Sequence, residues 1–141
     1  LNMETLWQQA YPSECVIVRP TGIYGTSVTR MIKLAETTKT YPKLHWSNRI
    51  HIDDLVAFLA HLLHVEHTEK SYICSNSQPL PLHEIIQWFQ QQLGLPALVL
   101  KSDVPSGKQI YATRMQQMNF ELQHPHCFDD YLALLEERES K

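Results

Sequence analysis

Short apolar runs alternate with amphipathic helical patterns along most of this 141-residue chain. The first run, residues 15–19, is rich in β-branched side chains and ends at Pro20. Such a run is typical of a parallel strand that is buried on both faces. Further short strands are predicted at residues 72–75, 98–100 and 109–112. Because strands that alternate with helices form parallel sheets, the sequence predicts an α/β fold.

Helical patterns fill the stretches between these runs. Apolar residues recur at every third or fourth position, which predicts amphipathic helices, at residues 28–35, 55–63, 82–93 and 128–135. Residues 3–10 are predicted to be the end of another helix, closed before Pro12. Asp53 is the predicted N-cap of the helix that carries residues 55–63. The length and this continuous pattern favour one structural unit, residues 1–141.

Charge and composition restrict the class of function. Fifteen acidic and twelve basic residues give a net charge of −3, which argues against a nucleic-acid partner. No segment approaches the roughly 18 uncharged apolar residues of a membrane span, so no membrane partner is expected. The three cysteines form no C-x-x-C pair, and we therefore expect a reducing, cytoplasmic location.

A glycine-containing segment follows the first apolar run directly. Residues 20–25 have the sequence Pro-Thr-Gly-Ile-Tyr-Gly. Open α/β sheets bind ligands at the carboxyl ends of their strands, and glycine lets the backbone approach a flat ligand closely. A strand-to-helix turn with no ligand explains the same residues equally well.

Charged residues and histidines offer further candidates, each with a simpler structural explanation. Arg49 suits a phosphate or carboxylate, although it could also lie at the surface. His51 and Asp53 are better explained as a buried histidine and a helix cap than as metal ligands. Lys108 follows a glycine and could hold an anion or complete a turn. A solvated helix end is favoured over a zinc site for His61, His64 and His67. Neither a G-x-S-x-G elbow nor a P-loop occurs, and no catalytic residue is predicted. Because the histidines and aspartates have simpler explanations, no metal ligand is predicted either.

Four collinear segments resemble the extended short-chain dehydrogenases/reductases, the NAD-dependent epimerase/dehydratase family. Residues 16–25, VIVRPTGIYG, resemble the strand and loop in which that family carries arginine, proline, tyrosine and glycine. Residues 49–55, RIHIDDL, resemble its hydrophobic-His-Val-Asp-Asp stretch. The third segment comprises residues 71–76, 79 and 93–94, and the fourth comprises residues 107–110 and 118–121. The resemblance implies the C-terminal part of a doubly wound Rossmann-like fold, with the smaller substrate-binding region.

The resemblance also implies roles for individual residues. The segment facing the nicotinamide end of NAD or NADP, largely through its backbone, would be Pro20, Thr21, Gly22, Ile23, Tyr24 and Gly25. Arg49 and Lys108 would bind substrate, although the family's phosphate-binding arginine falls at about Ser47 here. Tyr24 would be structural, because the family's catalytic tyrosine belongs to a Tyr-x-x-x-Lys pair that this chain lacks.

The family's Gly-x-x-Gly-x-x-Gly phosphate loop is also absent from these 141 residues. We therefore expect the C-terminal portion of an NAD(P)-dependent nucleoside-diphosphate-sugar epimerase, dehydratase or reductase, inactive without its N-terminal half. An exposed sheet edge would favour self-association into a homo-oligomer. The alternative is a stand-alone, non-catalytic binding module on the same scaffold.

Overall fold

The computed structural model describes residues 2–12 and 14–140. The helices α1–α6 are Met3–Ala10, Thr29–Thr37, Ile52–Leu62, Leu82–Gln92, Thr113–Gln117 and Cys127–Glu139. The strands β1–β9 are Ile17–Pro20, Gly22–Tyr24, Thr40–Tyr41, Leu44–Ser47, Arg49–His51, Ser71–Cys74, Leu80–Pro81, Val99–Leu100 and Pro105–Gly107. Every predicted helix is present.

Parallel pairing dominates the sheets. Strand β1 pairs in parallel with β6, so that Val18 lies opposite Tyr72. Strand β2 pairs in parallel with β5, with Ile23 opposite Ile50. Strands β3 and β8 are also parallel, and β4 lies between antiparallel β7 and parallel β9. The predicted α/β class is confirmed, because helices connect strands that run in one direction.

Two clusters of buried side chains hold the helices to these strands. The cluster beneath β1, β5 and β6 consists of Ile50, Leu55, Phe58, Tyr72, Cys74, Ala112 and Met115. The cluster between α2, α4 and α6 consists of Val28, Ile32, Ala35, Ile85, Phe89, Cys127, Tyr131 and Leu135. The helical spacing predicted from sequence selects most of the buried side chains. Leu59, Leu63 and Leu132, which the same spacing places on apolar faces, are exposed.

The first strand is less covered than predicted. Ile17 and Val18 are half-buried, whereas Arg19 and Pro20 are exposed, so the prediction of burial on both faces is wrong. Helix α1 contributes no buried side chain, and its Glu4 forms an ion pair with Arg19. Among the described residues, therefore, too little packs against this face to cover it.

Three local predictions also need correction. Residues 22–24 form strand β2 rather than an open loop, because β5 supplies backbone partners for them. Residues 109–112 form no strand; the pairing with β4 is made earlier, at β9. His51, not Asp53, is the N-cap of α3, since its Nδ1 accepts the Asp53 amide at 3.0 Å.

Within residues 2–12 and 14–140, no helix has the length and apolar character required to cross a bilayer.

Candidate functional site

A cleft of about 300 Å³ lies where β2 and β5 meet helices α2, α4 and α6. One wall is formed by residues 22–25, the last four of the six residues of the predicted cofactor segment. Arg49 of β5, Ser47 of β4 and Arg30 of α2 also line the cleft. Two arginines and a glycine-containing wall thus meet at one cavity, which suits an anionic ligand.

Arg49 is the most unusual side chain in this cleft. It is 5% exposed although it is charged, and its Nη2 donates a hydrogen bond to the Ser47 hydroxyl. Its Nη1 is also buried and has no hydrogen-bond partner among the described residues. Burying an unpaired cationic nitrogen is costly. An anion in the cleft would supply the missing acceptor once the guanidinium turns toward it.

The thiol of Cys127 lies beside the Arg49 guanidinium, at the start of α6. Burial raises the pKa of this thiol to about 11, although the positive charge of Arg49 acts in the opposite direction. The thiol therefore stays neutral at physiological pH, and it does not neutralise the arginine. The charge of Arg49 remains available to a ligand in the cleft.

The predicted cofactor segment divides into two parts. Pro20 ends β1, and Thr21 links β1 to β6 through its amide and hydroxyl, which both donate to the Cys74 carbonyl. Gly22, Ile23, Tyr24 and Gly25 line the cleft, with the side chain of Ile23 exposed. Gly25 has φ +117, and a Cβ there would overlap the ring of His51. The chain therefore requires glycine at this turn.

Tyr24 is held from the opposite side by a network that the sequence does not predict. Its hydroxyl donates to Asp130 Oδ2 at 2.6 Å, and the other oxygen of Asp130 accepts from His124 Nδ1 at 2.6 Å. Desolvation raises the pKa of Tyr24, and the hydrogen bond and charge of Asp130 raise it further. A phenol held protonated in this way is not a proton acceptor, which agrees with a structural role.

Asp54 holds the segment that brings His124 to this site. The carboxylate is 1% exposed and accepts the amides of Gln123 at 2.8 Å and His124 at 2.9 Å. The ring of His124 then stacks on that of His51, with centroids 3.6 Å apart and an angle of 8° between the planes. The Asp-Asp stretch thus has a clear structural task, because it fixes the C-terminal segment.

Ligand atoms of His51, His124 and Asp130 lie within 4.8 Å of one another, which is close enough to suggest a metal site. A zinc ion bonds to the in-plane lone pair of an imidazole nitrogen at about 2.0–2.1 Å. Two nearly parallel stacked rings direct those lone pairs within separate planes, so they do not converge on one ion. The Nδ1 atom of His51 is also engaged as the helix cap. This arrangement is better described as a hydrogen-bonded stack.

The remaining predicted site residues lie elsewhere. Lys108 is exposed and does not line the cleft; its carbonyl oxygen accepts from Asn48 Nδ2 at 2.7 Å. His64 and His67 are exposed, and His61 packs near Phe120. Asp130 and His124 were missed because they belong to no local motif, and nothing in the sequence marks them as partners of Tyr24.

Comparison with known proteins gives structural matches alone. No family model matches the sequence, and no curated protein matches it. A solved structure from Methylobacillus flagellatus, assigned by name to the NAD-dependent epimerases/dehydratases, is 29% identical and has a TM-score of 0.72. That match covers 95% of this chain and 52% of the other.

Two enzymes solved with NAD have the same fold at lower identity. The dTDP-glucose 4,6-dehydratase of Bacillus anthracis is 15% identical, with a TM-score of 0.70 over 98% of this chain and 49% of that one. The UDP-glucose 4-epimerase of Thermus thermophilus is 11% identical, with a TM-score of 0.57 over 84% and 45%. The resemblance to extended short-chain dehydrogenases/reductases is confirmed as a likeness of fold. The chain spans about half the length of these structures.

Proposed function

We propose that residues 1–141 form the C-terminal unit of an NAD(P)-dependent epimerase, dehydratase or reductase of the extended short-chain type. Its substrate would be a nucleoside-diphosphate sugar or a related alcohol. The solved structures that share the fold include NAD-bound enzymes named for dTDP-glucose and UDP-glucose. In such an enzyme NAD(P) supplies a hydride acceptor and donor, and this chain supplies one wall of the pocket.

The buried, half-partnered guanidinium of Arg49 carries this proposal. It lies in the same cleft as residues 22–25, so a ligand anion held by Arg49 would bring its remaining atoms beside the proposed nicotinamide wall. Phosphate suits an arginine with a free nitrogen, because the guanidinium can donate two parallel bonds. Binding through Arg49 would thus orient a phosphorylated substrate toward the cofactor.

The described residues fit only one end of a dinucleotide. Residues 22–25 line the cleft, and their backbone offers a wall for a flat ring such as a nicotinamide. No glycine-rich phosphate cradle and no Tyr-x-x-x-Lys pair occurs in the sequence. The proposal therefore assigns the pyrophosphate cradle and the proton-transferring tyrosine to an N-terminal half.

The exposed surface around α1 and β1 suits the docking of that half. A hollow of about 530 Å³, larger than the cleft, is lined by Trp7, Tyr11, Val16 and Ile17 among others. Met3 and Leu6 of α1 are exposed as well. Apolar side chains and an uncovered strand face are what a chain leaves open when further strands and helices pack there. A homo-oligomer would compete for the same surface.

Binding of a nucleotide sugar tests the proposal directly. We expect UDP-glucose to shift the backbone NMR signals of residues 22–25 and 49, and Arg49→Met to abolish those shifts. Arg19→Met removes the same charge from an exposed site outside the cleft and is the matched control. Shifts that persist in Arg49→Met, or that Arg19→Met also abolishes, would contradict the role of Arg49.

Cofactor calorimetry tests the division between two halves. Because the phosphate cradle is assigned elsewhere, the 141-residue chain should oxidise no NAD(P)H and bind NAD only weakly. Tight one-to-one binding of NAD to these residues alone would show that the assignment is wrong. A stand-alone binding module remains the alternative. The coding sequence upstream of Leu1 separates the two, since the enzyme requires an in-frame Gly-x-x-Gly-x-x-Gly and Tyr-x-x-x-Lys.

A further inference from the structure

The stacked histidines lie beside the cleft but have no part in the proposed binding of substrate. His124 lies in the segment before α6, and its ring covers that of His51 at the start of α3. Asp54 fixes the backbone of this segment, while Asp130 joins the His124 ring to the Tyr24 hydroxyl. His124 thus connects the start of α3 with α6, and through Asp130 with β2. This position suits it to control how firmly these elements are held together.

We propose that protonated His124 acts as a latch that locks the segment before α6 onto α3, and that its deprotonation loosens this segment, a change that reaches Tyr24 through Asp130. The latch is a positioning device, because none of its members except Tyr24 lines the cleft. The latch itself does not depend on the proposed function. Only its effect on a nicotinamide bound at residues 22–25 rests on that function.

The Nδ1 atoms of the two stacked rings play different roles in hydrogen bonding. His51 Nδ1 accepts the Asp53 amide, so this nitrogen must be unprotonated for the helix cap to exist. His124 Nδ1 faces a carboxylate oxygen of Asp130 and therefore donates. A second proton on His124, at Nε2, meets Asp53 Oδ2 at 3.6 Å. The geometry therefore allows a cationic His124 over a neutral His51.

The groups that face His124 come from four elements. Strand β5 contributes His51, helix α3 contributes Asp53 and Asp54, helix α6 contributes Asp130, and β2 contributes the Tyr24 hydroxyl. Partial burial lowers the pKa of His124, but the hydrogen bond and charge of Asp130, with Asp54 and Asp53, raise it to a larger extent. The net pKa lies above the ordinary value of 6.5.

The sign of the pH dependence follows from that net shift. A histidine whose pKa is raised by folding stabilises the folded state below its unfolded pKa, and this contribution is lost as the pH rises through the folded value. The ring is 29% exposed, so protons exchange with solvent without unfolding. Deprotonation leaves the three carboxylates without the charge that offsets them, so the attraction that holds the segment before α6 to α3 weakens.

Titration of the histidine ring by NMR tests the latch in the wild-type chain, without any ligand. We expect the His124 ring signals to titrate above 6.5, and the Tyr24 signals to move with the same midpoint. Asp130→Asn should lower that midpoint, because it removes the hydrogen-bonded negative charge. A wild-type His124 midpoint at or below 6.5, or Tyr24 signals that ignore it, would overturn the proposal.

Variants separate a latch from simple packing. The wild type should become less stable to heat as the pH rises through the His124 midpoint, and His124→Gln should remove that dependence. His126→Gln is the matched control, because His126 is exposed in the same segment and pairs with Gln78 instead. Tyr24→Phe should leave the His124 midpoint near the wild-type value. If His124→Gln retains the full pH dependence, the latch is refuted. Because no nucleotide is used, failure here leaves the proposed function untouched.

Discussion

Replacing Asp54 with asparagine tests how the C-terminal segment is attached to α3. The buried carboxylate accepts one backbone amide on each oxygen, from Gln123 at 2.8 Å and from His124 at 2.9 Å. An asparagine keeps one acceptor oxygen, but its amide nitrogen must face the second backbone N–H. The substitution therefore removes one charge-assisted hydrogen bond. It also leaves a backbone N–H and the asparagine NH₂, both donors, facing each other in a site that is 1% exposed.

The magnitude follows from those two losses. A hydrogen bond to a charged group contributes about 1.5–3 kcal/mol, and an unsatisfied buried donor costs about 1–3 kcal/mol. Partial hydration of the exposed Gln123 reduces the sum, so we expect Asp54→Asn to lower the free energy of unfolding by about 3 kcal/mol. For a chain of this length that corresponds to a fall of roughly 10 °C in Tm.

Urea unfolding at neutral pH, followed by tryptophan fluorescence and far-UV circular dichroism, measures this loss. Asp53→Asn is the control, because Asp53 lies in the same first turn of α3 and its side chain is 73% exposed. Both substitutions remove one negative charge from the helix N-terminus, and for Asp53 we expect a loss below about 1 kcal/mol. Equal losses in the two variants would refute the anchoring role of Asp54.

Gly25→Ala should lower the free energy of unfolding by about 3 kcal/mol, because a Cβ there overlaps the buried histidine that caps α3. Gly94→Ala, also at positive φ but in open space, should cost only about 1 kcal/mol, and similar losses in the two denaturation curves would contradict this account. A disulfide reagent near pH 8 should label Cys15 rapidly, since burial raises the pKa of both Cys74 and Cys127 to about 11. Three equally fast thiols would show that the two buried cysteines are accessible.

Local patterns predicted the elements well where one helical face or one strand decides the structure. The spacing of apolar residues in α3 and α4 places Phe58 and Phe89 in the two cores, where both are fully buried. The β-branched run before Pro20 predicts a parallel strand, and β1 is parallel. The same run predicts more burial than β1 has. The burial of a strand depends on what packs against each of its faces and not on its composition.

The site was predictable in part. Arg49 and the segment at residues 20–25 could be selected because they belong to contiguous motifs with a recognisable family pattern. Asp53 was mistaken for the helix cap because aspartate is a preferred N-cap residue and histidine is not, and only the backbone geometry places His51 at that position. Lys108 was placed by its sequence neighbours, whereas its side chain lies outside the cleft.

The amphipathic helices α2, α3, α4 and α6, most of the side chains they bury and the family resemblance are properties of short stretches of chain, and the sequence alone determined them. Packing decided which distant groups meet: Tyr24 and Asp130 are 106 positions apart, and Asp54 lies 70 positions from His124. Such contacts leave no periodic or local signal, because each is made only after the strands pair and α6 closes over them. The unpaired nitrogen of Arg49 belongs to the same class, since burial and missing partners exist only in the folded chain.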